Sequence, residues 1–286
     1  MGRLVVLILV LVCAGAFAAL WVGSEAELRR TWPLRPETAR AGPASAVPEG
    51  LRLAKLYGCT SCHGADFGGH AYNDDPKLVR RYAPNLTAAA ARYSDAQLAQ
   101  AIRQGVRPAD LKALWHMPSA TFATVSEREM SSVLAAIRAA PPVDRPAPRD
   151  QPGLQARWEI IRGAWIDRRK TAIRSAPVLV AMAARHPPRD LGAQFAQGRH
   201  IARTVCAECH GHDLAGDGEE GGPDLVVASA YDLAEFTRLM RTGVASGGRD
   251  AGFMSEVARD DFHVFTDAEI AALHAYLVAR ASSPPG

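Results

Sequence analysis

Five cysteines occur in the 286 residues, and four of them form two copies of one pentapeptide, Cys59-Thr60-Ser61-Cys62-His63 and Cys206-Ala207-Glu208-Cys209-His210. Two thiols about one turn apart can add to the two vinyl groups of a porphyrin, and an imidazole directly after them can rise beneath the iron. C-x-x-C-H is the spacing of covalent c-type haem attachment. C-x-x-C alone also serves redox dithiols and zinc sites. A zinc site needs further Cys or His partners, the remaining Cys13 stands in an apolar run, and a redox dithiol does not call for a histidine in both copies. The pattern predicts two covalently attached haems c, with His63 and His210 as iron ligands.

The elements that must position these residues also repeat. Gly50-Leu51-Arg52-Leu53-Ala54-Lys55 leads into the first motif as Gly198-Arg199-His200-Ile201-Ala202-Arg203 leads into the second, so each pentapeptide is expected to follow a helix. Downstream, Tyr93 to Val106 aligns without a gap on Tyr231 to Val244, with apolar positions at helical spacing and a glycine, Gly105 or Gly243, suited to a C-terminal cap. A last helix in each copy begins with a capping box, Ser126 to Glu129 and Thr266 to Glu269. His274 interrupts the apolar pattern of the second of these and reads as a surface or core histidine.

The sixth iron ligand decides between a carrier and a catalyst. Met130 aligns with Ile270 and Met240 with Ile102, which marks both as helix core, and Met182 lies between the copies. Met117 and Met254 remain, eleven and ten residues after Val106 and Val244, in loops expected to wrap over each ring. Pro118 stiffens the first loop, whereas Ser255 follows Met254. His116 and His263 are the alternative ligands, and His70 and His212, close behind the attachment motifs, read as solvent-facing. The backbone carbonyls of Pro84 and Pro223 are candidate acceptors for the second ring proton of His63 and His210.

Leu4 to Val22 carries no charge, follows Arg3 and is long enough to cross a hydrocarbon core of ~30 Å. It predicts a retained anchor over residues 1–24 with the rest of the chain outside the cytoplasm; a signal peptide cut near Ala16-Phe17-Ala18 is the alternative. Net charge is only +3 and no nucleic-acid-binding signature occurs, which sets nucleic acid aside. Pro141 to Pro148 closes the first copy, and from Pro141 to Phe195 ten Lys and Arg face five Asp and Glu. This stretch, helical over roughly Leu154 to Arg185, matches neither copy. Trp158, Trp165 and Arg168-Arg169-Lys170 within it suit either docking to an acidic partner or membrane surface, or a solvated helix packed across the domains.

With that order of helix, C-x-x-C-H, Pro-x-Leu loop, glycine-capped helix, methionine loop and final helix, each copy resembles a class I cytochrome c. The resemblance implies an all-α fold of two tandem domains, 45–141 and 191–286, behind the anchor and joined by a partly helical linker, 142–190. It further implies one haem held by Cys59, Cys62, His63 and Met117 and a second by Cys206, Cys209, His210 and Met254. The tandem is similar to diheme cytochromes of bacterial respiratory chains, anchored in the inner membrane with their haem domains in the periplasm. These pass electrons from a dehydrogenase or respiratory complex to an acceptor. The alternatives are a peroxidase-like diheme enzyme or a gas sensor with an open second haem.

Overall fold

The computed structural model of the chain describes residues 2–75, 79–146, 148, 150–163, 174–216 and 221–283. Trp165 and the run Arg168-Arg169-Lys170 lie outside the described residues. The chain is mostly helical, and its two halves repeat one arrangement.

In the first half, α2 (Val47–Leu56) delivers α3 (Cys59–His63), followed by α4 (Leu86–Arg92), α5 (Asp95–Gln104), the short α6 (Ser119–Phe122) and α7 (Glu127–Ala139). Helices α2 and α7 cross at Gly50, where an added Cβ would stand 1.9 Å from the Ser132 carbonyl oxygen. The second half repeats this crossing: α10 (Ala196–Ile201) meets α14 (Asp267–Ser282) at Gly198, where a Cβ would stand 2.1 Å from the Ala272 oxygen. Between them run α11 (Ala207–His210), α12 (Leu233–Thr242) and α13 (Phe253–Asp260). The capping boxes of α7 and α14 form as their sequences predict, and Gly105 and Gly243 close α5 and α12 in the left-handed conformation. Met130 and Met240 are 1% and 3% exposed, which makes them packing residues.

Two features depart from a purely helical expectation. Residues β1 (Ala71–Asp75) and β2 (Val79–Tyr82) form an antiparallel hairpin, to which β3 (Gln151–Pro152) adds a third strand. The cause is length: Pro84 follows His63 by 21 positions, whereas Pro223 follows His210 by 13, and the surplus folds on itself. The stretch between the copies is also tied into the fold. Its helix α9 (Ala176–Arg185) packs on α5 and α6, with Ala176 fully buried against Gly105, while α8 (Leu154–Ile161) packs on the N-terminal helix.

That N-terminal helix, α1 (Gly2–Arg29), is long and apolar enough to cross a membrane, with a mean hydropathy of 2.9 over its most apolar window. The extended segment after it straps onto the first half. Trp32 N donates to the Leu111 carbonyl at 2.8 Å, Arg35 N to the Gln104 side chain at 2.8 Å, and Ala41 N to Asp95 at 2.8 Å.

The two halves meet through equivalent positions. Arg52, two residues after Gly50, donates two bonds of 2.9 Å to Glu269, the capping-box acid of α14. His200, two residues after Gly198, lies 2.9 Å from both carboxylate oxygens of Glu129, the capping-box acid of α7. Each half thus reaches from its first helix to the last helix of the other, and one apolar core runs through both. Burial alone would raise the Glu129 carboxyl, but hydrogen bonds from His200 and Ser126 outweigh it and bring the group down to about 2. Because the folded value lies below the ordinary 4.5, this contribution is complete above pH 4.5 and lost as pH falls towards 2. Glu129→Gln, which keeps the cap, should lower stability at pH 7 by about 1–2 kcal/mol and flatten that acid-limb loss in thermal unfolding followed by circular dichroism.

Candidate haem sites

Both attachment motifs are short helical turns. Cys59 and Cys62 lie three apart on α3, Cys206 and Cys209 lie at the start and within α11, and none of the four is in a disulfide. Burial pushes the Cys59 and Cys206 thiols up to about 12 and raises Cys62 as well. His63 and His210 end these turns and are 7% and 8% exposed.

The ring of His63 places Nδ1 2.8 Å from the Pro84 carbonyl oxygen, and that of His210 places Nδ1 2.7 Å from the Pro223 carbonyl. A carbonyl can only accept, so Nδ1 carries the proton in both rings and Nε2 keeps the lone pair an iron would take. Burial favours the neutral ring and holds the His63 imidazole below its ordinary value, against the opposing pull of the Pro84 bond. The loops that bring the prolines back are alike too. Gly69 N donates to the His63 carbonyl and Gly216 N to the His210 carbonyl, each at 2.8 Å.

One shared feature escaped the sequence reading. Phe67 and Leu214 hold the left-handed conformation, with φ of 55° and 64°, and are 1% and 0% exposed. Such a conformation is costly for a bulky residue, and finding it at one position of both copies marks it as part of the site's construction. Its carbonyl accepts from Leu86 N in the first copy and Leu225 N in the second, fastening the proximal loop to the residue after Asn85 or Asp224. The signal was present as His-Gly-x-Asp followed by Phe67 or Leu214.

On the far side, Met117 precedes α6 in irregular chain, partly buried and packed on the core cluster to which Cys59 also belongs. Met254 is likewise half-buried on that core but stands in the first turn of α13, not in a loop. The register differs as well. Ser119 and Ser255 are both fully buried near the glycine caps Gly105 and Gly243; Met117 stands two residues before its serine and Met254 only one.

The other histidines are engaged or turned away. His116 is pushed down to about 3 by burial and then by the charge of Arg81, and its Nε2 lies 3.8 Å from Asp150 in the segment leading to β3. His263 and His70 are exposed, and His212 is half-buried. His274 sits 2.8 Å from the Tyr231 carbonyl with its ring beside Phe236, a packing position.

The donor set suits a haem. Beyond the thiols and imidazoles, the Trp115 Nε1 and Arg81 Nε groups are buried with no acceptor among the described residues, as donors awaiting the carboxylates of a porphyrin would be. Among the described residues no group of three or more His, Cys, Asp or Glu is arranged to hold a metal ion.

The first motif also meets the second half of the chain. Ser61, between Cys59 and Cys62, donates to both oxygens of the Asp261 carboxylate at 3.0 and 2.9 Å, and Lys55 Nζ lies 3.4 Å from the same group. Glu208, between Cys206 and Cys209, lies on the outside of its own turn. Surrounding protein nevertheless desolvates its carboxyl, and the like charge of Asp261 adds to the upward push. The first attachment turn is thus hydrogen-bonded to Asp261 of the second half.

The family model of cytochrome c matches residues 49–141 and 195–280, together more than half of the chain. The chain belongs to the cytochrome c family. Covalently bound haem c and electron transfer, as distinct from substrate catalysis, come with that membership. The cytochrome is also similar to the fructose dehydrogenase cytochrome subunit of Gluconobacter japonicus, with 24% identity over 280 residues, 87% of this chain and 55% of that protein. It therefore spans about half the length of that curated relative.

Proposed function

We propose that this cytochrome carries two haems c and acts as a membrane-anchored electron relay between a dehydrogenase and a downstream acceptor. Haem supplies the Fe(III)/Fe(II) couple. His63 and His210, oriented by Pro84 and Pro223, and Met117 and Met254 would hold the irons, and the four motif cysteines would attach the rings. The observation that carries this reading is the duplicated proximal geometry, 2.8 and 2.7 Å from ring nitrogen to proline carbonyl. Capped irons leave no position for substrate, and a methionine sulfur raises the potential relative to a second histidine. The hydrogen bonds from Ser61 of the first attachment turn to Asp261 of the second half support passage of an electron from one haem to the other within the chain.

Helix α1 serves in this reading as a single-pass anchor in a bacterial inner membrane, with both haem domains in the periplasm. The likeness to the cytochrome subunit of a fructose dehydrogenase supports a dehydrogenase as the donor. The changed register of Met254 favours one second reading, a labile distal position on the second haem that would suit a peroxidase-like enzyme or a gas sensor.

Optical and EPR spectra of the haem-loaded chain, oxidised and reduced, with and without carbon monoxide, separate the two. Two haems per chain, both low-spin and indifferent to the gas, are the expected result. A native high-spin or gas-binding haem would move the enzyme or sensor reading to the front.

A further inference from the structure

The inserted helix α8 has its inner face committed to α1. Arg157 is 5% exposed, lays its guanidinium 3.8 Å above the Trp21 ring, and donates 2.8 Å bonds to Ser24 Oγ and to Glu25. Ser24 is fully buried by this contact, as are most of Ala156, Ile160 and Ile161 on the same helix. Trp21 ends the uncharged run of α1, where an aromatic residue marks the outer boundary of a spanning segment. Arg157 therefore pins α8 at that boundary.

The outer face of α8 carries two large apolar side chains beside Gln155 and the Glu159–Arg162 ion pair. Leu154 and Trp158, one helical turn apart on a single face, are 53% and 49% exposed, and Trp21 and Val22 beside them on α1 are 44% and 67% exposed. Leucine and tryptophan left in water beside a spanning helix, at the depth where tryptophan partitions best, match the chemistry of the headgroup and upper acyl region.

We propose that α8 is a second, monotopic membrane contact, with Leu154 and Trp158 seated in the outer leaflet next to the end of α1. This rests on the anchor reading given above. Its consequence is orientation. Anchor, collar helix and strap form one support: α8 clasps α1 through Arg157, and residues 32–42 bind α1's continuation to α5 and α7. The first haem domain is then held at a set height and tilt above the bilayer instead of swinging on a tether, so a membrane-bound donor always meets the same face of it.

The test uses the full haem-loaded chain in nanodiscs of phosphatidylethanolamine and phosphatidylglycerol. Trp158 is replaced by the photo-crosslinker p-benzoylphenylalanine, with separate control chains labelled at Val12 in α1 and at the exposed Ser229 of the second half. Mass spectrometry of the irradiated chains should find lipid adducts at 158 within about threefold of those at 12, and more than tenfold above those at 229. Adducts at 12 but only background at 158 overturn the membrane seat and leave the anchor standing. Absence of adducts at 12 overturns the anchor reading, and this proposal with it. The same label irradiated in native membranes gives the remaining alternative: a protein crosslink at 158 in place of lipid would assign the face to a partner and overturn the proposal.

Discussion

Replacing Met117 by alanine should turn the first haem into a high-spin centre that binds carbon monoxide, while the second keeps its native spectrum. Met117 lies in irregular chain on the core cluster that includes Cys59, and the competing His116 is held off by burial and by its place near Asp150. The His116 ring would have to leave Asp150, 3.8 Å from its Nε2, before it could take the vacated position. The potential of that haem should fall by a sizeable part of the ~0.8 V range that axial ligands command, and a spectroelectrochemical titration should show one wave displaced and one unmoved. Met254→Ala should do the same to the other wave. A Met254→Ala chain with the native spectrum would remove Met254 as a ligand, and the one-residue shift against Ser255 would then be the reason. A Met117→Ala chain that stays low-spin would show another group on the first iron.

Gly50→Ala and Gly198→Ala should each destabilise one half of the molecule by about 2–4 kcal/mol, more than is usual for adding a single methyl group. At both positions the first helix of a copy touches the backbone of its last helix. A Cβ at Gly50 would come within 1.9 Å of the Ser132 oxygen and 2.6 Å of its carbonyl carbon; at Gly198 it would meet the Ala272 oxygen at 2.1 Å and the Tyr276 Cβ at 2.6 Å. Backbone cannot rotate aside as a side chain can, so the helices must separate, and every apolar contact along the crossing loosens. Alanine's better helix propensity, worth up to ~1 kcal/mol, does not offset that. Guanidinium unfolding followed in the Soret band checks it: each variant should lower the midpoint of one haem's transition first. Equal midpoints for wild type and Gly50→Ala would mean that α2 and α7 do not pack as closely as their glycine implies.

The candidate haem-holding residues of each copy were legible because the pattern that marks them is local. Two cysteines and a histidine in five residues need no tertiary information, and the second occurrence of the whole pattern turned each weak signal, such as a glycine cap or a capping box, into a paired one. The hydrogen-bonding prolines were readable for the same reason, since each follows its motif at a short distance along the chain. Repetition also separated core methionines from candidate ligands: Met130 and Met240 align with apolar residues, and both are buried.

What only the tertiary structure decided is everything that depends on distant segments meeting. Arg52 and Glu269 stand 217 positions apart, and Ser61 and Asp261 200 apart. In the sequence each is one more charged or polar residue of the kind that usually faces water. Their pairing follows from how two amphipathic bundles share one apolar core, a global balance of buried area that no window of sequence contains. The hairpin of the first copy and the capture of its open edge by Gln151–Pro152 are of the same sort. So is the docking of Arg157 on Trp21 and Glu25, which ties the insertion to the N-terminal helix. Local covalent geometry determined which atoms can hold the haems, and long-range packing decided how the two sites face each other and the segment before them.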